Sequence, residues 1–153
     1  QSRADAVFGL TDLHGAAIQL LAMGFLGKKA EVYRNHIHQK ADQEYHKRFF
    51  PHVAVHELEA WILADHDAIS RHLNAPGVEE IANPEDVNLE NPPSKRLDDI
   101  FFEHQMRPYS KGNDQSLLWK EVDVRKVYAR CPHFAAFLND LAKVVGLNGP
   151  FHV

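Results

Sequence analysis

The sequence has very little cysteine and no long apolar run, and both shortages narrow the class of protein. Cys131 is the single cysteine among 153 residues, which excludes an internal disulfide framework. A lone thiol is typical of proteins in a reducing compartment, so we expect a cytoplasmic protein. The longest uncharged run, residues 13–27, is too short and too polar to span a bilayer. We therefore expect no membrane association.

An excess of positive charge is also missing. The formal net charge is −4, which argues against a module that simply coats nucleic acid. Carboxylates are concentrated between Glu57 and Asp99, where they form either a metal site or a solvated acidic surface. The length suits one domain with its own core, so residues 1–153 are predicted to be a single domain.

The stretch from Phe49 to Asp65 predicts a strand that runs directly into a helix. Its first half is mostly apolar, and its second half carries apolar side chains at helical spacing. The junction contains His56, Glu57 and Glu59. In open α/β sheets, ligands bind at the carboxyl ends of the strands, where such a junction lies.

A second strand is predicted at residues 6–11, apolar on both faces as in a covered parallel sheet. It ends at Asp12, so Asp12 and Glu57 are each the first acid after a strand. We therefore expect both at one sheet edge, and with Glu59 they form a candidate acidic metal site. The structural alternatives are that Asp12 caps a loop and that the glutamates complement a helix dipole.

The rest of the sequence predicts helices, at residues 28–48, 68–73, 77–82, 95–104, 115–121, 123–130 and 132–145. The expected fold class is therefore α/β with a helical C-terminal half. Two strands do not make a stable sheet. Part of the sheet is thus either unrecognised or outside this chain.

Six motifs follow one another along the chain: TDLHG (11–15), FPHVAVHELEA (50–60), NPEDVN (83–88), PSKRL (93–97), YSK (109–111) and CPHF (131–134). Their order resembles the family called domain of unknown function 4276, which is grouped with Toprim-type domains. The resemblance implies a Toprim-like domain with an open, mainly parallel sheet flanked by helices. It also implies that strand-end carboxylates bind Mg²⁺ or Mn²⁺ and act on phosphodiesters.

The implied function is a metal-dependent nuclease or a related phosphodiester-acting effector. Asp12, Glu57 and Lys95 are its expected catalytic residues, and Asp12, Glu57 and Glu59 its expected metal ligands. Proteins that look like this are often encoded beside ATPases in defence against foreign DNA. The resemblance thus implies nucleic acid and an ATPase as partners.

Phosphate binding is predicted where a helix begins after Ser94. Backbone N–H groups at a helix start favour an anion, so Ser94, Lys95 and Arg96 are candidate phosphate-binding residues. Lys111, in a later loop, is a further candidate. The structural alternative for Lys95 and Arg96 is an ordinary pair of surface charges.

Two parts of the family pattern are missing from these residues. The family opens with a strand and a Glu-Gly-x-x-Glu motif, and no such motif is present, so we expect a domain incomplete at its N-terminus. Toprim enzymes usually place two aspartates one residue apart, whereas the second position here is His14. His14 and His56 are therefore alternative ligands or hydrogen-bond donors to the ligands.

Two other functions remain open on the sequence. The first is a non-catalytic Toprim-like module that binds a protein partner or nucleic acid, and a homo-oligomer is compatible with it. The second is a hydrolase that uses a Zn²⁺ site built from His14 and His56.

Overall fold

The computed structural model describes residues 6–12, 30–54, 57–86 and 91–151. These residues contain two strands and seven α-helices: β1 (Val7–Asp12), α1 (Ala30–Lys40), β2 (Phe49–Ala54), α2 (Glu59–Leu63), α3 (His66–Leu73), α4 (Pro93–Gln105), α5 (Asn113–Glu121), α6 (Val124–Arg130) and α7 (Pro132–Val144). Short 3₁₀ helices lie at Gln43–Tyr45 and Pro84–Asp86. The predicted α/β class with a helical C-terminal half is confirmed.

The two strands pair in parallel, from Val7 opposite Phe49 to Asp12 opposite Ala54. β2 is buried from its third residue onward, because α1 and α7 pack on it. β1 is less covered than the sequence predicted, since Val7 and Leu10 are 49% and 44% exposed. In the part of the chain that the structure describes, β1 has one strand neighbour only, β2.

The hydrophobic core lies in the helical part, around α2. All five residues of this short helix are buried. The apolar residues packed around them come from α3, α4, α5, α6 and α7, and include Ile69, Leu97, Phe101, Leu118, Val127 and Phe134. Because α2 is central, the acids at its start are carried into the interior with it.

Two helix predictions were wrong. The helix predicted for residues 28–48 ends at Lys40, and the chain folds back on its end. There His46 Nε2 donates to the carbonyl of Ala41 at 2.8 Å, and His38 Nε2 donates to the carbonyl of His46 at 3.0 Å. Residues 77–82 form no helix, and Gly77 has φ 95°, a left-handed conformation that a right-handed helix does not use.

Two further observations on the described residues concern membrane association and the lone cysteine. Within the described ranges, no helix combines the length and the apolar character needed to cross a membrane. The thiol of Cys131 is buried just before α7, and burial raises its pKa to about 12. A thiol that stays protonated is a poor nucleophile, which favours a structural role for this cysteine.

Candidate functional site at the carboxyl end of the strands

The backbones of the two predicted acidic positions lie at one edge of the sheet. Because the strands are parallel, their carboxyl ends meet, and Asp12 is the register partner of Ala54, three residues before Glu57. Only the backbone of Asp12 is described. His14 and His56, the alternative ligands, lie outside the described residues.

Glu57 is buried, with 5% of its surface exposed, and both carboxylate oxygens are hydrogen-bonded. Oε2 accepts the backbone N–H of Ser94 at 2.7 Å, and Oε1 accepts the ammonium of Lys111 at 2.9 Å. Burial alone would raise the pKa of Glu57, but the hydrogen bonds from Lys111 and Ser94 outweigh it and lower the pKa. This carboxylate is therefore held ionised inside the protein.

Glu59 is as deeply buried but more weakly held. Its Oε1 lies 3.5 Å from Lys111 Nζ and 3.4 Å from Gln115 Nε2, both long for a strong hydrogen bond. Burial raises the pKa of Glu59, and neither the hydrogen bond from its own backbone N–H nor the charge of Lys111 cancels the rise. Two carboxyl groups two residues apart thus have pKa values shifted in opposite directions.

Lys111 joins the two acids from the surface. Its side chain is 58% exposed, whereas those of Glu57 and Glu59 are almost wholly covered. Burial of the ammonium would lower its pKa, but its contacts with the two glutamates raise the pKa of Lys111. One cation on an exposed, flexible side chain therefore serves two buried anions.

Tyr109 and Gln115 belong to the same site and were missed by the sequence reasoning. The Tyr109 hydroxyl is buried, and no described residue forms a hydrogen bond with it. Burial, followed by the negative charges of Glu59 and Asp114, raises the pKa of Tyr109, so the phenol keeps its proton. A signal for Tyr109 was present, since it opens the YSK motif that contains Lys111.

The order of the motifs around these residues agrees with a family match. The sequence profile of a domain of unknown function, number 4276, matches residues 1–142. The chain belongs to this family. No curated protein and no solved structure matches the chain. In this member of family 4276, the HELEA, PSKRL and YSK motifs therefore converge on one buried carboxylate.

The donor set of this family member fits a hard divalent cation. Carboxylate oxygens are the ligands that Mg²⁺ and Mn²⁺ prefer, and Glu57 and Glu59 already share one cation, the Lys111 ammonium. In the described ranges, no three His, Cys, Asp or Glu side chains come together as a metal site. Glu57 and Glu59 could hold such an ion, with Asp12 as the candidate third ligand.

The predicted phosphate-binding residues have different surroundings in the structure, since two of them bind Glu57 and two are exposed. The N–H of Ser94 and the ammonium of Lys111 both bind Glu57, so a protein carboxylate already lies at the start of α4. Lys95 and Arg96 are exposed in the first turn of α4. Arg96 lines a surface cavity of about 270 Å³ together with Val78 and His104.

Proposed function

We propose that this protein is a divalent-metal-dependent phosphodiesterase that acts as a nuclease on a Toprim-like scaffold. The observation that carries the proposal is the pair of buried carboxylates, Glu57 and Glu59, directly after a parallel strand. Buried carboxylates stay ionised only where cations or several hydrogen bonds compensate them. A pair served by one ammonium is therefore suited to accept a further cation.

Each residue of the site has a role in this proposal. Glu57 and Glu59 would hold Mg²⁺ or Mn²⁺, with Asp12 as a third ligand. Bound there, the ion supplies charge neutralisation at the phosphate and a lower pKa for the attacking water. Lys95 and Arg96, exposed in the first turn of α4, would attract the phosphate backbone of the substrate.

The proposed substrate is nucleic acid, and DNA is the first candidate. The resemblance to proteins encoded beside ATPases suggests that an ATPase partner controls access to the substrate. In that setting the domain would serve as the cutting component of a defence against foreign DNA.

The proposal is tested by incubating purified protein with plasmid DNA and Mg²⁺ or Mn²⁺. The variants are Glu57→Gln, which removes the charge at nearly constant volume, and Glu44→Gln as an exposed control. We expect Glu57→Gln to lose cleavage by about 100-fold or more, because a metal ligand is lost. The control should cleave at the wild-type rate, and equal rates for all three proteins would refute the assignment of Glu57.

A second candidate function is a non-catalytic module that docks on a protein partner. Strand β1 favours it, because among the described residues it pairs only with β2 and exposes Val7 and Leu10, and the backbone of an unpaired strand edge can pair with another chain. Wild-type protein that binds the ATPase but cleaves no DNA with either metal would support this candidate. Loss of that binding in a Leu10→Ser variant would strengthen it.

A further inference from the structure

The ammonium of Lys111 can leave the two acids without any change in the backbone. The chain beside it is fixed, because the N–H of Tyr109 donates to Asp98 at 2.9 Å and the N–H of Ser110 donates to Asp114 at 2.8 Å. The side chain of Lys111, in contrast, is more than half exposed. Rotation about its side-chain bonds is therefore sufficient to move the ammonium.

The charges at this position are unequal. Glu57 and Glu59 carry two negative charges when both are ionised, and Lys111 supplies one positive charge. The ammonium is closer to Glu57, at 2.9 Å, than to Glu59, at 3.5 Å. A divalent cation would balance both carboxylates, which a single ammonium does not.

Tyr109 supplies a second, independent indication of a ligand. Its hydroxyl is buried within the field of Glu59 and has no hydrogen-bond partner among the described residues. The ammonium of Lys111 is not that partner, since it donates to Glu57 at 2.9 Å. Hydrated divalent cations carry water molecules that donate hydrogen bonds, and the phenol oxygen of Tyr109 can accept one of them.

We propose that Lys111 exchanges partners: it gives up Glu57 and Glu59 to a divalent cation, and its released ammonium then binds a phosphate oxygen of the substrate. The release of Glu57 and Glu59 to a cation rests on the contacts described above. The binding of the released ammonium to a phosphate oxygen rests on the proposed phosphodiesterase function. The exchange explains how one lysine serves the carboxylates in this structure and the substrate during the reaction.

The exchange makes Lys111 a competitor of the metal ion. Removal of its charge should therefore tighten metal binding, whereas a fixed structural ion pair predicts weaker binding or none. We expect Lys111→Met to bind Mn²⁺ about 10-fold more tightly than wild type, because a positive charge next to the ion is lost. The affinity is measured by titration calorimetry and by the electron paramagnetic resonance of free Mn²⁺.

The matched control is Lys126→Met. Lys126 likewise bridges two acids, the buried Asp65 at 2.8 Å and the exposed Asp67 at 2.6 Å. Its removal should leave the Mn²⁺ affinity at the wild-type value, and Glu57→Gln should weaken it by about 10-fold or more. If Lys111→Met does not fold, Lys111→Gln, which keeps a hydrogen-bond donor without the charge, takes its place.

The results separate the exchange from the nuclease proposal. Unchanged or weaker Mn²⁺ binding by the Lys111 variant, or no binding by wild type, overturns the exchange. Tighter binding together with no cleavage by wild type supports the exchange and refutes the nuclease. If wild type cleaves, the Lys111 variant should show a KM for DNA raised about 10-fold at saturating Mn²⁺. An unchanged KM overturns the substrate half of the inference.

Discussion

Glu85 and the Glu57–Glu59 pair are equally buried, and their partners differ. Glu85 accepts hydrogen bonds from Trp61 Nε1 at 2.8 Å and from the N–H groups of His133 at 2.9 Å and Phe134 at 3.3 Å. All three donors belong to the core or to the start of α7. At the candidate site, Glu57 has one backbone donor, the N–H of Ser94, and its other oxygen and Glu59 share the exposed ammonium of Lys111. The depth of burial is thus the same for Glu85 and for the Glu57–Glu59 pair, and the two differ in how much of their compensation comes from an exposed side chain.

Asp65 belongs with Glu85 in this comparison. It is fully buried and accepts the N–H groups of Asp123 at 2.9 Å and Ala68 at 3.3 Å, in addition to the ammonium of Lys126. Two fixed backbone donors hold this carboxylate even if the lysine moves. Its lysine therefore stabilises the fold and leaves no reason to propose an exchange.

The largest effect should come from Glu85→Gln. The amide has one oxygen instead of two, and its NH₂ group would face an N–H group, which is also a donor. At least one buried donor therefore loses its acceptor. We expect unfolding free energy to fall by about 2–4 kcal/mol, measured by urea denaturation. Mn²⁺ affinity should not change in the folded variant. The comparison fails if Glu85→Gln is as stable as the exposed control Glu103→Gln.

An intermediate effect should come from Asp65→Asn, and it should depend on pH. Burial would raise the pKa of Asp65, but the N–H of Asp123 and the Lys126 ammonium lower it below the ordinary value of 3.8. A lowered folded pKa contributes stability above pH 3.8 that is lost as the pH falls through the folded value. At pH 7 we therefore expect Asp65→Asn to be about 2 kcal/mol less stable than wild type.

This difference should shrink between pH 4 and the lowest pH at which both proteins fold, as measured by thermal melts. Asp99→Asn, on the exposed side of α4, serves as the control. A gap between wild type and Asp65→Asn that stays constant down to that pH would show that the charge of Asp65 does not stabilise the fold.

The smallest expected effect is a difference in stability between variants of two tyrosines, Tyr128 and Tyr109. Tyr128 donates to Asn139 Oδ1 at 3.0 Å, so Tyr128→Phe should cost about 1 kcal/mol of stability. Tyr109→Phe removes a hydroxyl with no described partner, and its stability should equal or exceed that of wild type. Both are measured by urea denaturation without metal. A larger loss in Tyr109→Phe would mean that its hydroxyl is satisfied inside the protein.

Much of the site was predictable because its residues lie at junctions that sequence patterns mark. The change from strand to helical periodicity located Glu57, and the Pro-Ser start of a helix located Ser94. Neither pattern predicted that these residues bind each other. Glu57 is separated from Ser94 by 37 residues and from Lys111 by 54, and contacts across such separations depend on how the helices pack.

The incorrect predictions also have physical causes. Apolar spacing in residues 28–48 continues past Lys40, but His46 and His38 use their rings to fold the chain back onto the helix end. The role of Glu85 in the NPEDVN motif was not predicted at all. Glu85 holds α7 against Trp61, a structural role that no local pattern reveals.

The sequence separation within the site also has a consequence for protein synthesis. Lys111 follows Glu57 by 54 residues, so at ribosomal speeds it is added roughly 3 to 11 seconds later. During that interval the growing chain contains Glu57 and Glu59 but not Lys111. A fragment that ends before Lys111, whether through proteolysis or premature termination of translation, lacks this lysine and cannot assemble the site.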